Sequence, residues 1–137
     1  MITYGIRKMM ADANAAIDTM TAAEAVALAG DGDTVFVDVR ETVERQQTGT
    51  IAGAIHAPRG FLELIADPEG PMHNDAFVSG KRLVLFCASG GRSALAAKTL
   101  KDMGIANVAN LPAAFRPGSR RVARPRGRTG STSPAWP

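Results

Sequence analysis

Hydrophobic and polar positions along the chain switch between two periods, placing short strands between helices. Residues 6 to 17 set Ile6, Met9, Met10, Ala13 and Ile17 at helical spacing. Thr21-Ala22-Ala23-Glu24 has the form of a capping box, opening a short helix predicted through Ala29. Asp31-Gly32-Asp33 supplies a turn into a strand at 35 to 39. Phe61 to Ala66 reads as one or two helical turns, stopped near Asp67-Pro68 because proline disfavours a helical residue before it. Gly70 to Gly80 is loop-like. A second apolar run, Leu83-Val84-Leu85-Phe86, reads as a strand. It is followed by a predicted helix at 92 to 103, with Gly104 at its C-terminal cap. A last short strand is expected at Asn107-Val108-Ala109. Strands separated by helices predict an α/β fold whose central parallel sheet binds ligands at the strands' C-terminal ends.

The chemistry gathers at one such end. Cys87, the single cysteine, directly follows the apolar run and begins Cys87-Ala88-Ser89-Gly90-Gly91-Arg92-Ser93. A strand, a tight glycine-containing loop and a helix N-terminus form an anion cradle, with backbone N–H groups and the helix dipole favouring negative charge. Loop amides and the Arg92 cation would both favour an ionised cysteine. Gly90 and Gly91 would allow left-handed backbone and keep side chains out of the pocket. Arg92 would offer a planar fork for an oxyanion. A buried structural cysteine beside an ordinary turn is the competing reading, and the Gly-Gly-Arg-Ser that follows weighs against it.

At these residues the chain resembles the rhodanese (sulfurtransferase) family, whose active-site loop reads Cys-x-x-Gly-x-Arg-Ser or Thr. Cys87, Gly90, Arg92 and Ser93 match that pattern position for position. Val35-Phe36-Val37-Asp38-Val39-Arg40-Glu41 is similar to the family's central strand ending in Asp-x-Arg. Gly49 to Pro58 is similar to its Gly-x-Ile-x-Gly-Ala-x-x-x-Pro segment. The resemblance covers about residues 21 to 115, leaving 1 to 20 as an N-terminal helical extension and 116 to 137 as an irregular tail.

The resemblance implies a rhodanese-like fold and sulfur transfer through a persulfide on Cys87, with Arg92 orienting the loop or the donor. Ala88, Ser89, Gly90, Gly91 and Ser93 would contact the substrate, and Arg59, after Pro58, would line the pocket mouth or be a solvated charge. Asp38 and Arg40 read as structural support for the loop in preference to a direct catalytic role. Glu41 and Glu44 read as an exposed face. The implied partners are a small anionic sulfur donor such as thiosulfate and a thiophilic acceptor: cyanide, a small thiol or a protein thiol. No organic cofactor or metal is implied. A persulfide carrier or a docking module of the same fold is the leading alternative.

Composition narrows these readings. At 137 residues, 45% hydrophobic and 21% charged, the chain suits one globular domain. No apolar stretch approaches the ~18 residues of a membrane span. Asp12 and Asp18 interrupt any signal-peptide pattern, and one cysteine excludes an internal disulfide and suits a cytoplasmic protein. All 13 acidic residues lie at or before Asp102, so residues 1 to 110, with ten Lys and Arg, carry a net charge of −3. Residues 111 to 137 hold six arginines and no acid, net +6, with five prolines and three glycines. Such a segment would be expected to remain disordered and would attract nucleic acid through counterion release. It lacks an aromatic platform for bases apart from Trp136, so nucleic-acid binding is the weaker reading. A shifted reading frame in a GC-rich gene would produce the same compositional break.

Other cysteine chemistries fit less well. Thiol phosphatases place five residues between cysteine and arginine, whereas four separate Cys87 from Arg92. A loop one residue smaller suits a single sulfane sulfur better than a tetrahedral phosphate or arsenate. Cys-x-x-Cys redox chemistry has no second cysteine. His56 and His73 lack a local signature for a Cys–His pair, and no residue cluster has metal-ligand spacing.

Overall fold

The computed structural model describes residues 1–112. The arginine-rich segment and the position of Phe115 therefore lie outside the described residues. In chain order the elements are α1 (Ile6–Ala16), β1 (Asp18–Thr19), α2 (Ala22–Leu28), β2 (Thr34–Asp38), α3 (Thr42–Thr48) and β3 (Ile55–His56). A 3-10 turn (Arg59–Phe61), α4 (Leu62–Ala66) and a second 3-10 turn (Asp75–Val78) follow. The chain continues through β4 (Arg82–Phe86), α5 (Gly91–Asp102) and β5 (Val108–Leu111).

The five strands form one sheet in the order β1-β5-β4-β2-β3, and every pairing is parallel. Alternation along the central strands divides the core between two faces. Val37, Leu83, Leu85 and Cys87 pack with α1, α4 and α5 residues such as Ala13, Leu62, Ala97 and Leu100. Phe36, Val84 and Phe86 point the other way, toward Met20, Ala25, Ile51 and Leu111. The predicted α/β architecture with helices on a parallel sheet is what is observed.

The residues before Thr21 share this core. Ala13 and Ile17 are buried in it, and β1 pairs with β5. Thr21 caps α2 as expected: the Glu24 amide donates to Thr21 Oγ1 at 3.1 Å and the Thr21 amide donates to Glu24 Oε1 at 2.8 Å. Gly104, at φ +106°, takes the left-handed position that ends α5. Strand ends differ from the sequence expectation by a residue or two, as hydrogen-bonded boundaries commonly do. Three elements are additional to it: α3 and the two-residue strands β1 and β3. They are too short to show a hydrophobic period.

Candidate active site

β2 and β4 are adjacent and parallel, so their C-terminal ends bring Asp38 beside Phe86 and deliver Val39-Arg40 and Cys87 to one edge of the sheet. Cys87 is wholly buried. The chain then curls through part-buried Ala88 and exposed Ser89 to Gly90, whose φ of +98° turns it into α5. Only the first of the two expected glycines takes left-handed backbone, because Gly91 is already the first residue of the helix. The turn aims the Gly90 N–H at Cys87 Sγ, 3.1 Å away.

Ser93, one helical turn on, lies under the loop with its Oγ 3.4 Å from Cys87 Sγ. Its hydroxyl donates to Asn110 Oδ1 at 2.6 Å. A hydroxyl carries one hydrogen, so the lone pairs of Ser93 are left to accept from the thiol. Asn110 Nδ2 reaches back to the Gly90 carbonyl at 3.4 Å, so Asn110 joins β5 both to the loop and to α5. Nothing in the sequence reading singled out Asn110. The signal was an amide side chain inside an otherwise apolar run, Val108-Ala109-Asn110-Leu111.

Arg92 spends its Nη1–Nη2 edge on Glu44. Its Nη1 donates to Glu44 Oε1 at 2.7 Å and its Nη2 to Glu44 Oε2 at 2.9 Å. Glu44 is thus the arginine's partner, correcting its assignment to a purely exposed face. Glu44 Oε1 also accepts the Glu41 N–H at 2.9 Å, capping α3. The Arg92 hydrogen bonds hold the Glu44 carboxyl at about 2, below its ordinary 4.5. The same hydrogen bonds to Glu44 push Arg92 further up, and Cys87 and Glu41 act on it in the same direction through space.

Behind the loop lies a buried charge cluster. Arg40 donates from its backbone N and Nε to Asp38 Oδ1, both at 3.0 Å, and from Nη2 to Oδ2 at 2.8 Å. Thr50 Oγ1 donates to Asp38 Oδ2 at 2.8 Å, and Arg45 Nε stands 3.4 Å from the same oxygen. Arg40 also donates to Thr48 Oγ1 and to the Gly49 carbonyl, each at 2.7 Å. Asp38 and Arg40 therefore tie the end of β2 to the turn after α3. His56 Nε2 donates to the Arg40 carbonyl at 2.7 Å, while burial keeps its ring below the usual histidine range. Desolvation lowers Arg45 to about 10.

Arg59, read either as lining the pocket mouth or as a solvated charge, is tied to two neighbours. Its Nη1 is held by Glu63 at 3.2 Å and its Nη2 donates to Thr99 Oγ1 at 3.2 Å. Thr99 lies roughly 12 Å along α5 from Gly91, at 1.5 Å per residue. His73 pairs with Asp75 at 3.0 Å, in the loop before β4. Among the described residues no group of three His, Cys, Asp or Glu side chains is placed to hold a metal, and no helix is long and apolar enough to cross a membrane.

Comparison with known proteins extends this geometry. RPA3614 of Rhodopseudomonas palustris CGA009, described as a protein of unknown function and possible tyrosine phosphatase, is 43% identical, with a TM-score of 0.79. That match covers 82% of this chain and 87% of the other. The human single-domain sulfurtransferase TSTD1 is 27% identical, with a TM-score of 0.56 over 69% of this chain and 88% of its own. The polysulfide-sulfur transferase homodimer of Wolinella succinogenes is 28% identical, with a TM-score of 0.56 over 77% of this chain and 74% of its own. No curated protein matches the sequence. The family model described as Rhodanese-like domain matches residues 21–116, and the chain belongs to that family.

Proposed function

We propose that the protein is a sulfurtransferase that carries a sulfane sulfur as a persulfide on Cys87. The observation that carries this reading is the Gly90 amide aimed at Cys87 Sγ from 3.1 Å, in a loop that opens a helix N-terminus. A backbone donor at that distance stabilises negative charge on sulfur. In the reaction, the Cys87 thiolate attacks the outer sulfur of a donor such as thiosulfate. The donor's S–S bond breaks, and sulfite leaves with the electron pair. The terminal sulfur, now on Cys87, then passes to cyanide, a small thiol or a protein thiol, completing a double displacement. Because Cys87 has no exposed surface, the loop at Ala88–Gly90 must shift to admit the donor. Arg92, tied to Glu44, acts here by positioning the start of α5. The implied setting is the cytoplasm.

The deciding experiment is the intact mass of the full chain after thiosulfate treatment. A gain of one sulfur atom, removed by cyanide, supports the proposal. No gain from thiosulfate or from a monoanionic donor such as benzenethiosulfonate would favour a docking module of the same fold.

A second reading is phosphate-ester hydrolysis, favoured by the description of RPA3614 as a possible tyrosine phosphatase. The four residues between Cys87 and Arg92, one fewer than thiol phosphatases place there, weigh against this reading. Faster hydrolysis of an aryl phosphate than desulfuration of thiosulfate would reverse this ranking.

A further inference from the structure

The capture of Arg92 bears on which donors the site accepts, an extension that rests on the sulfur-transfer reading. A planar guanidinium recognises an oxyanion through two parallel N–H donors. In Arg92 the Nη1 and Nη2 pair is already filled by both oxygens of Glu44. Glu44 is not a loose arm, because the Glu41 amide holds its Oε1 in the α3 cap. Its carboxyl stays ionised down to about 2, so the pair persists throughout the physiological range. Glu41 adds a second carboxylate that acts on the same arginine. Arg92 thus faces two carboxylates with its Nη1 and Nη2 pair occupied, and the loop's backbone dipoles remain as an attraction for an anion.

We propose that Glu44 is a specificity-determining residue: by filling the Arg92 fork, it biases the site toward singly charged sulfur donors and against dianions. The favoured class is a monoanion bearing a terminal sulfane sulfur.

Two donors that react by the same step isolate the charge. Thiosulfate is a dianion and releases sulfite. Benzenethiosulfonate is a monoanion and releases benzenesulfinate when the Cys87 thiolate takes its outer sulfur and its S–S bond breaks. The experiment measures kcat/KM for both donors, with cyanide as acceptor, in the wild type, Glu44→Gln and Glu44→Asp at low and high salt. Glutamine keeps a carbonyl oxygen for the Glu41 cap while removing the charge. It should raise the thiosulfate-to-benzenethiosulfonate ratio by about threefold or more, mainly through KM, because losing one negative charge relieves a dianion of twice the repulsion it relieves for a monoanion. High salt should shrink that change, and Glu44→Asp should stay within about twofold of the wild type. Salt should also raise the wild-type ratio by itself, a readout that needs no variant.

An unchanged ratio in Glu44→Gln, an equal change in Glu44→Asp, or indifference to salt would overturn the inference. A wild type that takes sulfur from neither donor would instead remove the sulfur-transfer reading, and this inference with it.

Discussion

Glu44 and Arg92, 48 residues apart in sequence, meet in a two-pronged ion pair between the first turns of α3 and α5. An arginine in the first turn of a helix sits at the unfavourable end of the dipole, and a carboxylate there is favourable. Glu44 is well placed in its own helix and offsets the misplaced charge of the other. The contact thereby locks the helix that follows the cysteine loop to the segment that follows β2.

The pair should give the fold a defined acid dependence. Glu44 is held at about 2 against an ordinary 4.5, so its contribution is fully present above 4.5 and is lost as pH falls through 2. For a partly exposed bidentate pair this amounts to about 1 kcal/mol. Thermal unfolding of the wild type and Glu44→Gln, followed from neutral to acid pH, should show a constant gap that closes in that window. A gap that persists at the acid end would mean that the cap or packing, not the charge, separates the two proteins.

Cys87→Ser should take up no sulfur from thiosulfate, because a hydroxyl cannot carry a persulfide. The substitution is small and the site is buried next to polar neighbours, so stability should stay within about 1 kcal/mol of the wild type. Intact mass and chemical unfolding test both statements. Sulfur loading in a folded Cys87→Ser protein would place the acceptor atom elsewhere.

Asp38→Ala should be among the most damaging substitutions, costing about 3–5 kcal/mol. It strips Arg40 of its buried counter-ion and Thr50 of its acceptor. Urea unfolding is the measurement. A loss below about 1 kcal/mol would show that water enters the cluster and replaces the carboxylate.

Asn110→Ala should cost about 1–3 kcal/mol, since it deletes the acceptor of the Ser93 hydroxyl and one bond to the Gly90 carbonyl. The Gly90 amide should also exchange its hydrogen faster, as the loop loses its tie to β5. Unaltered exchange at that amide would show that the loop holds itself without β5.

Deleting residues 1–17 should destabilise the protein measurably. The deletion removes Ala13 and Ile17 from the core and uncovers the face of α5 on which α1 packs. Thermal unfolding of the shortened chain would test this. A midpoint equal to that of the full chain would mean that α1 is an appendage.

What was legible in the sequence follows from the range of the interactions. Local chemistry was readable: the Thr21 capping box, Gly104 at the helix end, and the strand–loop–helix order around Cys87 depend on near neighbours. Glu44 and Asn110 were missed because their meaning lies in partners brought close only by the fold. Glu44 looked like one more surface acid in a run beginning at Glu41, and its capping spacing from Glu41 was the available clue. Arg59 was left between two readings for the same reason. Its position after Pro58 allowed either the mouth or a solvated surface, and the fold supplies Glu63, one helical turn away, and Thr99 as partners.

The sheet also governs how the protein behaves in company. Its two outer strands, β1 and β3, are only two residues long each, and both flanking segments turn away into helices or turns. A neighbouring chain seeking free backbone donors and acceptors finds almost no template at either border of the described sheet. The long, pairing-hungry strands β2 and β4 are kept in the middle, each with a partner on both sides. A chain that adds itself to this sheet beside β1 or β3 must therefore do so against a two-residue strand.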